Sequence, residues 1–78
     1  MDPEAVLRQF LGERFGSYRE DLGRAELLED IVDSLGLFDL VNFVEKRFSL
    51  SIPNEEFSPQ RFVTIEQILE TIEEYGTV

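Results

Sequence analysis

The chain contains no cysteine and no histidine. Without cysteine no disulfide can staple the fold, which suits a reducing compartment. Zinc and haem sites of the ordinary type lose their main ligands with these two residues, so no metal site is expected. Most nucleophilic and general-base machinery goes with them, and an enzyme is not expected. Basic residues are scarce too. Seven Lys and Arg stand against seventeen Asp and Glu, a formal net charge of −10. That balance repels phosphate backbones and anionic lipid, which argues against nucleic acid and membrane surfaces as partners. A basic protein surface is the natural complement. No apolar run approaches the roughly 20 residues that span a bilayer, and no basic-then-apolar leader precedes the first helical segment. A soluble, cytoplasmic protein is the expectation.

What is present suits one small domain over residues 1–78, read as complete and monomeric. Hydrophobic residues make up 42% and charged residues 31%, a globular rather than a disordered balance. A chain this short buries only about 60% of its surface and has little room for an enclosed active site. A reactive group is therefore expected at the surface.

Helical periodicity organises the chain. Asp2 followed by Pro3 reads as an N-cap with proline at the first helical position, where its missing N–H costs nothing. Val6, Leu7, Phe10, Leu11 and Phe15 then recur at helical spacing, which predicts a helix over 3–15 with Gly16 as its stop. Residues 16–33 read as a long connection wrapping the core, with a short turn of helix near 25–28. Its Leu22, Leu27, Leu28, Ile31 and Val32 are too many apolar residues to leave in water.

A second helix is predicted over 34–48, capped by Asp33, with Leu37, Leu40, Val41, Val44 and Phe48 on one face. Ile52-Pro53-Asn54 stops it, because proline disfavours helix in the residue before it. One turn over 54–57 and a second cap-then-proline signal at Ser58-Pro59 follow. Thr64 and Gln67 have the spacing of a capping box, and Ile65, Ile68, Leu69, Ile72 and Tyr75 supply the last apolar face before Gly76. No segment alternates with period two. The expected fold is all-α, with three main helices plus a short one. Its expected core is Val6, Phe10, Leu40, Val41, Val44, Phe48, Ile65, Ile68 and Ile72.

Charge clusters around one point. Residues 1–19 are balanced, 20–39 sum to −6, 40–53 to +1 and 54–78 to −5. Within the acidic stretch lies Asp33-Ser34-Leu35, at the head of the second helix. The ordinary explanation of such a serine is capping. Here, however, Asp33-Ser34-Leu35 followed by the spacing of Leu40, Val41, Val44, Glu45 and Phe48 resembles the modification site and recognition helix of acyl carrier proteins. Ile52-Pro53-Asn54-Glu55-Glu56 resembles that family's loop into its short third helix, and Thr64-Ile65 with Gln67 and Ile68 resembles the start of its fourth. The likeness covers about residues 27–75.

The resemblance implies a four-helix carrier-protein bundle. It implies Ser34 as the acceptor of 4′-phosphopantetheine, donated by coenzyme A through a magnesium-dependent phosphopantetheinyl transferase. The thiol of that arm would carry acyl groups as thioesters, which fits a chain with no thiol of its own. Expected partners are the transferase, an acyl- or aminoacyl-loading ligase or transferase, and synthase or tailoring enzymes with basic docking patches. Asp33, Leu35, Gly36, Asp39 and Glu45 are the residues expected to meet partners. The acidic residues also have an ordinary role as solvated surface.

Departures from the family pattern bear on cargo. Gly36 stands where fatty-acid carriers usually place an acid, and its missing side chain could let a partner approach Ser34 closely. Its plainer explanation is a first-turn position, where glycine costs least. Lys46-Arg47 replace a continuing acidic run, although basic residues also suit a helix C-terminus. Phe57 and Phe62 could fill the volume that shelters a long acyl chain, or simply complete a small core. These features incline the reading toward a discrete carrier of polyketide or related specialised biosynthesis. An aminoacyl or D-alanyl carrier and a fatty-acid carrier stay open, as does an acidic helical interaction module without an arm.

Overall fold

The computed structural model describes residues 2–76, and those residues form three α-helices and two 3-10 turns with no strand among them. Helix α1 spans Pro3–Arg14, α2 spans Ser34–Arg47 and α3 spans Ile65–Tyr75. The 3-10 turns, Asn54–Glu56 and Pro59–Phe62, lie between α2 and α3. The all-α expectation holds. The short helix expected between the second and last main helices takes the form of these two 3-10 turns.

Local chemistry sets the helix starts. Asp2 accepts a hydrogen bond from Glu4 N ahead of Pro3, and the Thr64 hydroxyl accepts from Gln67 N at 3.0 Å. Each satisfies an N–H that has no partner inside the helix. The first helix ends one residue early, at Arg14, with Phe15 N donating to Leu11 O as the cap.

The core sits between the inner faces of the three helices. Leu7 and Leu11 from α1, Leu40 and Val44 from α2, and Ile65 and Ile68 from α3 are fully buried. Of the nine core residues expected, Val6, Leu40, Val44, Ile65 and Ile68 are buried, while Phe10, Val41, Phe48 and Ile72 are half-buried against them. The second 3-10 turn packs on both α2 and α3 and inserts Phe62, which is buried, into the same cluster. Thr71 is the buried polar member of α3. Its hydroxyl donates back to Gln67 O at 2.9 Å, which settles its burial. On the α1–α2 side the Phe10 and Phe43 rings stack with centroids 4.0 Å apart, and Phe15 meets Phe10 edge-on at 6.1 Å.

The connection over 15–33 does wrap the core, through buried Leu22 and Leu28 with Ile31 and Val32 half-buried. Two details differ from expectation. Leu27 is left exposed, and no helical turn forms at 25–28. In its place Glu26 N donates to Gly23 O, while Leu28 N donates across the fold to Val63 O at 2.8 Å. Glu66 N donates to Arg24 O in the same seam. A backbone that spends its donors on a distant strand of chain cannot also close a local helical turn. The next closure comes after Leu28, whose carbonyl accepts from both Ile31 N and Val32 N and delivers the chain to Asp33.

Candidate functional site at the head of the second helix

Asp33 has extended backbone geometry, and its Oδ1 accepts from Gly36 N at 2.7 Å while its carbonyl accepts from Leu37 N at 2.8 Å. The cap is therefore Asp33. Ser34 is the first residue of α2 and is exposed, and among the described residues its hydroxyl has no hydrogen-bond partner. The capping explanation for this serine is thus taken over by its neighbour. Leu35 is 79% exposed and Phe38, three residues on and on the same face, is 65% exposed. Two large apolar side chains in water beside a free hydroxyl set this corner apart from the rest of the surface.

The other expected contact residues part company. Asp39 is exposed and pairs with Arg14 at the end of α1, 3.1 Å away. Such an exposed pair is worth only about 0.2–1 kcal/mol and leaves the carboxylate accessible. Glu45 is half-buried, and one of its carboxylate oxygens accepts from Ile52 N at 3.0 Å, which ties α2 to the segment that follows. Gly36 requires a correction. It is buried, and a Cβ placed on it would lie 2.6 Å from Phe15 Cε1 and 3.0 Å from Asp33 Oδ1. Its missing side chain makes room for the Phe15 ring rather than for an approaching partner. Lys46 and Arg47 occupy the last turn of α2, where positive charge complements the helix dipole, and the Arg47 guanidinium lies 5.8 Å from the Phe48 ring centroid.

Beside Ser34 a pocket of about 170 Å³ opens to the surface. Ser34 and Leu37 contribute one wall from α2, and Leu28 and Val32 contribute another from the preceding connection. Pro59, Phe62 and Val63 close the third side. The charged residues on its lining, Glu29 and Asp33, are both acidic. Phe62 thus does border the space next to Ser34. Phe57 is a half-buried neighbour of Phe62, ring centroids 6.1 Å apart, and does not line the pocket.

The Pro59–Val63 wall is held from behind by α3. Arg61 pairs with Glu74 at 3.0 Å, and its guanidinium lies 5.0 Å from the Tyr75 ring centroid. The Tyr75 hydroxyl donates to Glu56 Oε1 at 2.7 Å. Donation to that carboxylate, together with some burial, pushes the phenol up to about 12. Glu4 pairs with both Arg24 and Arg8, and its hydrogen bonds with those two guanidinium groups hold its carboxyl below the usual value.

Phe38 and, among the pocket walls, Val32, Pro59 and Val63 were not singled out for the site from the sequence. Phe38 was recognisable, because it lies off the Leu37, Leu40, Val41 and Val44 stripe and so has no place in the core. Val32, Pro59 and Val63 carry no such signal, since their meeting depends on how the two connections fold over the helices. Among the described residues no helix is long and apolar enough to cross a membrane. Compared with protein-family models, with curated proteins and with solved structures, the chain finds no match in any of the three.

Proposed function

We propose that this chain is a carrier domain of the four-helix type, with the two 3-10 turns in the place of the short third helix. Ser34 bears 4′-phosphopantetheine. The observation that carries this reading is the pairing of a separate cap, Asp33, with a partnerless, exposed Ser34 hydroxyl one residue on. A serine needed as a cap would have its oxygen engaged by the helix. This one is free for modification. The arm supplies the thiol that the chain lacks and carries acyl groups as thioesters. The residues of the chain hold and present it: Asp33 fixes the first turn, Leu35 and Phe38 offer an apolar contact beside the attachment point, and Asp39 adds an accessible negative charge. A phosphodiester at this position also meets the positive end of the α2 dipole. The chemistry on the cargo belongs to partner enzymes with basic docking patches, in polyketide or related specialised biosynthesis. Aminoacyl, D-alanyl and fatty-acid cargo are the other members of the same reading.

Intact mass decides the matter. The protein is weighed before and after incubation with coenzyme A, magnesium and a broad-specificity phosphopantetheinyl transferase, beside Ser34→Ala. The expected result is a gain of one phosphopantetheine that the variant does not show. No gain by the folded wild-type chain with several transferases would leave the second reading, an acidic interaction module. That reading draws on Leu35 and Phe38, which are exposed together on a chain of net charge −10.

A further inference from the structure

The pocket beside Ser34 is apolar where an arm would start, and the length of that arm decides which part of it can enter. In phosphopantetheine the carbon bearing two methyl groups is four bonds from the serine oxygen, a reach of at most about 5 Å. The sulfur is fourteen bonds away, about 17 Å when extended. Since Ser34 is itself part of the pocket lining, the near segment falls at the pocket mouth, whereas the thiol end would have to double back to reach it.

Size agrees with reach. An apolar cavity of about 150 Å³ holds one benzene-sized molecule. The space here, about 170 Å³, suits a branched unit of similar bulk and is small for a long acyl chain. Charge leads to the same place. Glu29 and Asp33 on the lining offer the phosphodiester no ion pair, so beyond the α2 dipole the hold available at the root of the arm is apolar contact.

We propose that this pocket seats the gem-dimethyl segment of the phosphopantetheine arm against Val32, Leu37 and Phe62, pinning the arm at its root and leaving the thiol and its cargo in solvent. The proposal rests on the carrier reading of Ser34. The wall that completes the seat, Pro59 to Val63, is the one that Arg61 and Thr71 fasten to α3.

The test is nuclear magnetic resonance on the full chain. It is loaded from coenzyme A, from an analogue of coenzyme A without the two methyl groups, and from butanoyl- and octanoyl-coenzyme A. Loading is checked by mass in each case. The expected result is contact between the two arm methyl groups and the side chains of Val32, Leu37 and Phe62 in the coenzyme A product. The shift changes at those residues are lost with the dimethyl-free analogue and are unaltered by either acyl group. Loading without these contacts overturns the proposal and leaves the carrier reading intact. Contacts from the octanoyl chain to the same residues, replacing those of the methyl groups, also overturn it and make the pocket a cargo site. Failure to load Ser34 overturns both.

Discussion

The two ends of α2 are built on opposite plans. At its start one side chain, Asp33, satisfies one backbone N–H, and the next residues turn outward, with Ser34 exposed and Leu35 and Phe38 open to water. At its end the chain is closed. Ser49 adopts φ 54°, in the left-handed region, and Leu50 N then reaches back to Glu45 O at 3.0 Å. That is the Schellman closure, here with serine where glycine is usual. Leu50 enters the core cluster that contains Val44, and the Glu45 carboxylate takes up Ile52 N. One end therefore anchors the helix and the other presents it. A helix fixed firmly at one end can leave its opposite turn accessible without losing its position.

Removing the anchor should be the most damaging change. Leu50→Ala is expected to cost about 2–3 kcal/mol, a large share of the ~4–12 kcal/mol available to a chain of this length. Chemical denaturation with an unchanged m-value would measure it; a loss no greater than at an exposed site would mean that the closed end does not hold the helix. Gly36→Ala comes next, because the open end is open on its outer side alone. Alanine is the better helix former by about 1 kcal/mol, yet the clash with Phe15 should turn this into a net loss of about 1–2 kcal/mol. In a Phe15→Ala background the same substitution should be neutral or stabilising, and the double-mutant cycle reports the contact directly.

Asp33→Ala should cost about 1 kcal/mol through the lost cap, whereas Ser34→Ala should leave the denaturation midpoint nearly unchanged while removing the proposed modification site. Equal losses in these two variants would return Ser34 to the role of a cap. The remaining expected effect has the opposite sign. Ser49→Gly should add about 0.5–1 kcal/mol by relieving the left-handed serine, since only glycine adopts that geometry without steric cost. An unchanged midpoint would show that the closed end gains nothing from a better C-cap residue.

Much of the open end was legible in the sequence. Asp33 as cap, Ser34 as the first helical residue and Leu35 beside it follow from capping preferences and from the onset of the 3.6-residue period. These are local rules, read over a few residues. The inner face of α2 was legible for the same reason, as Leu40 and Val44 show. Glu45 and Gly36 were not. Their side-chain environments are set by Ile52 and Phe15, residues seven and twenty-one positions away, and no local pattern announces either neighbour.

What the amino-acid sequence determined by itself is the set of three helices, their N-caps, the all-α class and the acidic charge, because each helix and N-cap depends on residues within about one or two helical turns of one another. Tertiary structure alone decided the rest. Leu28 gives its N–H to Val63 rather than to a local turn, Phe62 and Pro59 swing over the head of α2, and Gly36 closes on Phe15. The pocket beside Ser34 exists because three separate segments compete to cover one small core, and the space left among them belongs to none of the segments alone.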